Sequence, residues 1–291
     1  MAQMSKQMGI LSKWMGQRKR MFVGLFFIYL STASSASAQS PYQLRTGREV
    51  GLIGAGALTL GASVALTKAI DPLTPAEIAS LNRGDISSFD RNATFHWSTS
   101  ADKWSDVALV GTVGAAGVVA LGLPTVRQDF KTVAVMYIET LLLANGIERT
   151  VKSVTQRTRP YVYNPLVPLD EKLDRTSRQS FFSGHATNAF ASAVFTSEVF
   201  RHYFPHSKLK PVVWVGTLGL ASATALFRYE AGLHYPTDLL AGAAFGSLVG
   251  WGIPKIHQIK NGSQLGKRLD VQPWSNGMAN GIYMRLAVFS R

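Results

Sequence analysis

The sequence predicts an all-α protein whose core is a bundle of six helices. Six long stretches are apolar and rich in Ala, Gly and Leu. None of them alternates polar and apolar residues with the period of two that marks a half-buried strand. Prolines stand near their ends, where helices stop. The 291 residues contain no repeat of solenoid length and no low-complexity linker, which indicates one bundle with flanking segments.

The six predicted helices follow one another along the chain. They cover Val50–Thr67, Val107–Val126, Thr132–Ile147, Ala186–Val199, Pro211–Phe227 and Leu239–Pro254. We expect Pro124 to end the second helix and Pro254 to end the sixth, while Pro205 and Pro211 flank the turn between the fourth and fifth. Residues 69–106 are polar and of mixed charge, and they predict a surface excursion with one short helix.

These patterns divide the chain into four segments. Residues 1–38 predict a secretory signal peptide, because a basic "RKR" precedes the apolar run "MFVGLFFIYL" and "ASA" suits cleavage after Ala38. An uncleaved membrane anchor is the alternative. Residues 39–103 hold the first helix and the polar excursion, and residues 104–256 hold the helical core. In the tail, residues 257–291, two runs around "SNGMANG" could pair as a β-hairpin.

Composition narrows the function. The formal net charge of +13 predicts an anionic partner such as phosphate, lipid headgroups or nucleic acid. Because the chain has no cysteine, disulfides, thiolate zinc sites and a cysteine nucleophile are excluded. No cluster of Asp and Glu in the sequence predicts a metal site.

Membrane insertion is favoured by the lengths of the apolar runs, although only Val107–Val126 reaches the roughly 20 residues that a span needs. Basic residues follow the second, fourth and sixth helices, so in an alternating bundle they share one side, which would be cytoplasmic. A cleaved signal would leave Gln39 outside and reverse that orientation. Either Val50–Thr67 does not cross, or the bundle is a soluble or peripheral extracytoplasmic domain.

Two motifs lie in the connection between the third and fourth helices. In "KSVTQRTRP", Lys152 and Arg159 are seven residues apart, close to two helical turns, so they can share a face and clamp one oxyanion. In "FFSGH", Ser183 is a good N-cap and Gly184 lets the backbone approach an anion at a helix start, with His185 beside it. Each motif alone is more typical of an ordinary helix end.

The third motif is "FRYEAGLHYPTD", residues 227–238, before the sixth helix. Pro236 suits the first helical turn, which brings Asp238 within reach of the His234 imidazole. A carboxylate on one ring nitrogen makes the other nitrogen available as a nucleophile or base. Arg228 can join the anion site, whereas Glu230 has no assigned role. An up-and-down bundle puts all three motifs at the same end.

Together the motifs resemble the three-part signature of the type 2 phosphatidic acid phosphatase and vanadium haloperoxidase superfamily, which is K-x6-RP, PSGH and SR-x5-H-x3-D. Both internal spacings are kept, and the resemblance covers about residues 104–254. Phe182 stands where the family usually has Pro, and Phe227 where it usually has Ser. These departures affect the rigidity of one loop and one hydroxyl contact, and no charged or nucleophilic group is lost.

The resemblance implies a membrane-associated bundle of the acid phosphatase/haloperoxidase type that hydrolyses phosphate or diphosphate esters, above all lipid phosphates at the extracytoplasmic face, without a cofactor, a metal or nucleic acid. It implies His234 as nucleophile forming a phosphohistidine, Asp238 as its orienting partner and His185 as acid and base. The implied phosphate-binding residues are Lys152, Arg159, Ser183, Gly184 and Arg228. Three alternatives stay open: a soluble periplasmic nonspecific acid phosphatase, a vanadium haloperoxidase, and a non-catalytic lipid-binding membrane protein.

Overall fold

A computed structural model describes residues 40–259, 269–275 and 280–286 of the chain. The signal peptide and cleavage site predicted for residues 1–38 lie outside these residues. The described chain divides into a helical unit that ends at His257 and a second unit that begins at Gln258.

The helical unit contains six long helices at the predicted places. They are α1 (Thr46–Lys68), α2 (Thr99–Gly122), α3 (Phe130–Thr155), α4 (Gly184–Tyr203), α5 (Lys210–Glu230) and α6 (Pro236–His257). The prediction of an all-α bundle is therefore confirmed. Pro124 follows the end of α2, as expected. The prediction that Pro254 ends the sixth helix is wrong, because α6 continues to His257, whose Nδ1 lies 2.8 Å from the carbonyl oxygen of Ile253.

Short helices fill the connections. The α-helical ones are Pro75–Ser80, Ser88–Arg91, Pro124–Gln128 and Leu169–Lys172, and the 3-10 turns are Arg83–Asp85, Asn92–Phe95, Pro160–Tyr163 and Arg175–Arg178. The predicted polar excursion ends earlier than expected, at Ser98, whose hydroxyl caps α2 by accepting a hydrogen bond from the amide of Ala101 at 3.2 Å. It is also more than a surface loop, because Leu73 and Ile86 are buried in small apolar clusters there.

Helix α4 forms the centre of the bundle and packs against α2, α3, α5 and α6, while α1 packs along α3. The approach of α6 to α4 is very close. A Cβ atom added at Gly246 would lie 2.2 Å from the carbonyl oxygen of Thr187, and one at Gly250 would lie 2.3 Å from that of Ala191. Only glycine allows the two backbones to touch in this way.

The six helices run alternately, which gives the bundle two distinct ends. At the first, which we call the motif end, α1, α3 and α5 finish and α2, α4 and α6 begin. Thr67 and Ser153 share a hydrogen bond of 3.0 Å there. At the opposite end, the far end, the amide of Gln43 donates to the carbonyl oxygen of His257 at 3.0 Å, and Tyr203 donates to Asp129. All three sequence motifs therefore meet at one end, as the up-and-down topology predicts.

Five helices of the described chain are long and apolar enough to cross a membrane. They are α1, α2, α3, α5 and α6, and the segment that contains α3 extends over Phe130–Tyr163. Large aliphatic side chains point outward from them, among them Leu58, Val110, Val215 and Leu240, each more than 60% exposed. A surface of this kind is unfavourable in water and suits contact with lipid tails. The helices thus indicate membrane association.

The second unit holds two strands, β1 (Leu269–Ser275) and β2 (Asn280–Leu286). They pair antiparallel, with Leu269 opposite Leu286 and Ser275 opposite Asn280. This is the hairpin that the turn residues "SNGMANG" predict.

Candidate active site

A cleft of about 450 Å³ opens at the motif end of the bundle. Its wall contains six of the predicted site residues: Lys152, Arg159, Gly184, His185, Arg228 and His234. The two remaining predicted residues, Ser183 and Asp238, are fully buried behind it, where the Ser183 amide donates to the Asp238 carbonyl oxygen at 3.1 Å. The structure therefore brings all three motifs to one place.

The two cations of the first motif reach the cleft in a different way from the one predicted. Lys152 lies in the last turn of α3, but the helix ends at Thr155 and Gln156 turns the chain with φ of +44°. Arg159 then follows in extended backbone, held by a hydrogen bond of 2.8 Å from its amide to the carbonyl oxygen of Ser177. The prediction that the cations share one helix face is wrong, because a left-handed turn, rather than the helix, brings them together.

The second motif opens α4 as predicted. The Ser183 hydroxyl accepts a hydrogen bond from the Ala186 amide at 3.3 Å and so caps the helix. A Cβ atom on Gly184 would approach the Glu148 carboxylate to 2.8 Å, so a larger residue here would have to displace that side chain at the cleft wall. Phe182, which departs from the family signature, is buried and packs against Phe245 of α6 at 5.2 Å between ring centres. This contact gives the loop an apolar anchor.

His234 of the third motif is almost fully buried, immediately before α6. Its Nδ1 atom lies 3.6 Å from Oδ2 of Asp238, which is longer than a hydrogen bond. The fully buried Asp238 accepts hydrogen bonds from the Ser180 hydroxyl at 2.5 Å and the Tyr235 amide at 2.9 Å. Asp238 therefore places a negative charge beside the imidazole while being held by other donors.

A further donor to Asp238 is Arg157, which was not predicted as a site residue. Its guanidinium contacts Asp238 at 2.5 Å and Asp90 at 2.8 Å, and it stacks on the ring of Tyr235 at 4.0 Å. Asp90 also accepts from the Thr237 hydroxyl at 2.7 Å. This network fixes the start of α6 against the polar excursion. The sequence offered a weak signal, since Arg157 lies inside the first motif, between its two expected cations.

Three carboxylates face predicted site residues. Glu148 contacts Lys152 at 2.6 Å, Asp106 lies 2.8 Å from Nε2 of His185, and Asp102 forms an ion pair with Arg228. Glu148 is nearly buried, whereas the side chains of Asp102 and Asp106 are about half exposed. The spacing of Glu148 and Lys152, one helical turn, could have indicated their pair. The two aspartates were assigned to the excursion, although they begin α2.

The cleft is electrostatically suited to an anion. Burial lowers the pKa of His234 well below its ordinary value, and the positive charges of Arg159 and Lys152 lower it further. His234 is therefore a neutral imidazole, with a lone pair available near neutral pH. The Nε atom of Arg159 is buried and finds no hydrogen-bond partner among the described residues. Glu230, unassigned by sequence, contacts Nδ1 of His96 at 3.2 Å, away from these residues.

Fold and site together define a class: an all-helical, membrane-type bundle with a cleft lined by cations and two histidines. Residues 133–261 match the PAP2 superfamily. That region contains all three motifs, and over it the chain is similar to members of this superfamily.

Two curated relatives are similar to parts of the chain. A lipid A 4'-phosphatase of Porphyromonas gingivalis is 30% identical over 100 residues, which are 34% of this chain and 39% of that protein. A decaprenylphosphoryl-5-phosphoribose phosphatase of Mycobacterium tuberculosis is 26% identical over 155 residues, 53% of this chain and 72% of that protein. The chain thus matches well under half of the first relative's length. A solved transmembrane PAP2-type phosphatidylglycerolphosphate phosphatase from Bacillus subtilis aligns with a TM-score of 0.40 and 18% identity, over 81% of this chain and 94% of that one.

Proposed function

We propose that this protein is a phosphatase that hydrolyses the phosphate esters of lipids through a phosphohistidine intermediate, without a catalytic metal. The observation that carries the proposal is the cleft itself. Lys152, Arg159 and Arg228 line it together with His185 and His234. Three cations can balance the charge of a phosphate dianion and the additional charge that spreads over its oxygens in the transition state.

His234 is the proposed nucleophile. Its Nδ1 faces Asp238, so Nε2 is free to form the bond to phosphorus. As that bond forms, the imidazole gains positive charge, which the nearby Asp238 carboxylate stabilises. Arg157 and Ser180 keep this carboxylate in place, and both act as positioning residues.

His185 is the proposed acid and base. As the bond from phosphorus to the ester oxygen breaks, His185 gives that oxygen a proton, and the alcohol leaves. Water then attacks phosphorus and gives a proton to His185, the nitrogen–phosphorus bond breaks, and orthophosphate is released. Asp106 holds the His185 ring at 2.8 Å.

Two features support a lipid substrate. The cleft opens at the end of a bundle whose outer surface is apolar and whose helices can cross a membrane, so the phosphate of a lipid would lie at the height of the cleft. The two curated relatives are named for phosphatases of lipid A and of a decaprenylphosphoryl compound.

We also propose that the motif end faces outward. The basic residues Arg127, Arg201 and Lys208 flank short connections at the far end, the pattern expected on the cytoplasmic side. If all six helices cross, Ser40 then lies inside, whereas cleavage after Ala38 would leave it outside. With a signal that leaves Ser40 outside, the outward cleft therefore requires that α1 does not cross the membrane or that the bundle is a soluble or peripheral extracytoplasmic domain.

The activity is tested with purified protein and a panel of lipid and water-soluble phosphomonoesters and diphosphates. We expect phosphate release that prefers lipids, persists in EDTA, is inhibited by vanadate, and is lost in His234→Ala and His185→Ala. The matched control is His206→Ala, an exposed histidine at the far end, which should retain activity. Full activity in His234→Ala would refute the mechanism, and halide oxidation by vanadate-loaded protein would indicate a haloperoxidase instead.

Orientation can be tested without background because the chain has no cysteine. Ser80→Cys marks the motif end and His206→Cys the far end, both at exposed positions. In intact cells with a permeable outer layer, a membrane-impermeant maleimide should label Ser80→Cys alone. Labelling of His206→Cys alone would reverse the proposed orientation.

A further inference from the structure

A second polar cluster lies at the far end of the bundle, separate from the cleft. Glu49 comes from the first turn of α1, Glu139 from α3, and His257 is the last residue of α6. Nε2 of His257 is 3.0 Å from Oε1 of Glu49 and 3.1 Å from Oε2 of Glu139. All three residues are buried, and Glu139 and His257 are completely so.

The cluster brings several hydrogen-bond acceptors together with too few hydrogen-bond donors. The Nδ1 atom of His257 lies 2.8 Å from the Ile253 carbonyl oxygen, which can only accept, so Nδ1 carries the proton. In the neutral ring Nε2 then carries a lone pair, which is directed at the carboxylates. Nε2 and both oxygens of Glu139 have no hydrogen-bond partner in the described chain. Of the three residues of the cluster, Arg48 donates to Glu49 alone, at 2.8 and 3.0 Å.

Leaving such acceptors buried is unfavourable, because a carboxylate removed from water needs a donor or a cation. We propose that Glu49, Glu139 and His257 bind a divalent transition-metal ion of the Zn²⁺ type. One imidazole nitrogen and two carboxylate oxygens leave the fourth position to water. Their negative charges balance the dication.

The distances agree with this assignment. Zn²⁺ ligands lie about 2.0–2.2 Å from the metal, so the ligand atoms of a tetrahedral site are about 3.2–3.6 Å apart. The two contacts of Nε2, at 3.0 and 3.1 Å, are only slightly shorter, and the three ligand atoms all lie within 4.8 Å of one another. The hydrogen bond from Nδ1 to the Ile253 carbonyl is the usual outer contact that orients a metal-binding histidine.

The ion would act as a structural clamp. It would connect α1, α3 and α6 at the end where Arg48 also donates to the carbonyl oxygen of Ile256 at 2.6 Å. Since the cleft lies at the opposite end, the ion touches no substrate. Phosphate release below the unfolding temperature should therefore be the same with and without it, which keeps this proposal separate from the proposed catalytic mechanism.

The test uses the full chain in detergent, purified with a tag free of histidine. After incubation with Zn²⁺ and gel filtration, mass spectrometry of the metal should find an equimolar amount in the wild type and background in Glu139→Gln. The matched control is Glu198→Gln. Glu198 is also buried at the far end, but it pairs with Arg201. The control should retain the ion, and its thermal unfolding, like that of the wild type, should shift upward with Zn²⁺ relative to EDTA.

A second measurement needs no variant, should Glu139→Gln fail to fold. Wild-type protein loaded with Co²⁺ should show the visible absorption of a tetrahedral site, and Zn²⁺ should remove it. Wild type that carries no more zinc than Glu139→Gln and unfolds at one temperature in Zn²⁺ and EDTA would overturn the proposal. So would a Glu139→Gln variant that is more stable than the wild type under both conditions, since a protonated carboxyl would then explain the cluster.

Discussion

The pair between Glu148 and Lys152 allows a sharp test of the anion site. Glu148 is 2% exposed and contacts Lys152 at 2.6 Å in the wall of the cleft. A bound phosphate would compete with Glu148 for the same ammonium group. The substitution Glu148→Gln keeps the size of the side chain and removes its charge, so it leaves Lys152 without its partner until an anion binds.

The size of the effect follows from burial. Removing one partner of a buried ion pair costs about 3–5 kcal/mol. The Lys152 side chain is 13% exposed to the cleft, where water can solvate it, so we expect a loss of about 3 kcal/mol in the free energy of unfolding. Removing a competing negative charge should strengthen vanadate binding by about 1–2 kcal/mol, which is about 5–30-fold.

Urea unfolding and vanadate titration of the detergent-solubilised protein measure both quantities. Glu148→Gln should unfold at lower urea than the wild type, and saturating vanadate should restore much of the difference. The control is Glu171→Gln, an exposed glutamate in the connection before α4, which should change neither quantity. A Glu148→Gln variant with wild-type stability and weaker vanadate binding would show that Glu148 positions Lys152 instead of competing with the anion.

Four further predictions concern the same site. Because the pKa of His234 is lowered, the nucleophile should stay neutral below pH 6.5, and kcat/KM measured against pH should show no loss near that pH from this residue. The same shift means that the unfolded chain binds a proton which the folded one does not, so in thermal unfolding the stability of substrate-free protein should fall as pH drops below about 6.5. Arg157→Ala frees the buried carboxylate of Asp238 and should lower kcat at least tenfold with little change in KM, and Arg157→Lys should recover part of it in steady-state kinetics. Asp102→Asn removes a half-exposed competitor for Arg228 and should lower the vanadate inhibition constant up to about fivefold.

Much of the fold could be predicted from the sequence, because long apolar runs between prolines can form little else than packed helices. The three motifs were predicted to meet because alternate connections of an up-and-down bundle lie at the same end. Their spacing also identified the residues of the cleft wall. The prediction that Pro254 ends α6 was wrong because losing one backbone hydrogen bond near a helix end costs little free energy. His257 also holds the last residues of α6 in place.

The remaining residues could not be predicted because their partners are distant in the chain. In the sequence, nothing distinguishes Asp102 and Asp106 from other polar residues. Only the folded position of α2 brings them to Arg228 and His185. Glu139 interrupts the apolar run Thr132–Ile147, and in the sequence it indicates only a charge that is unfavourable in a membrane span. Its proximity to Glu49 and His257 depends on the packing of three helices, and no local pattern records that.

The contact between α6 and α4 has a consequence for the breadth of the site. His234 lies two residues before the start of α6 and His185 lies in the first turn of α4, so the distance between the two imidazoles follows the distance between the helices. At Gly246 and Gly250 that distance is already at its minimum, since backbone meets backbone. The close packing of α4 and α6 thus sets a lower limit on the distance between the two imidazoles. A side chain at either glycine would increase the distance between the helices. No substitution there can decrease it, because glycine is already the smallest residue.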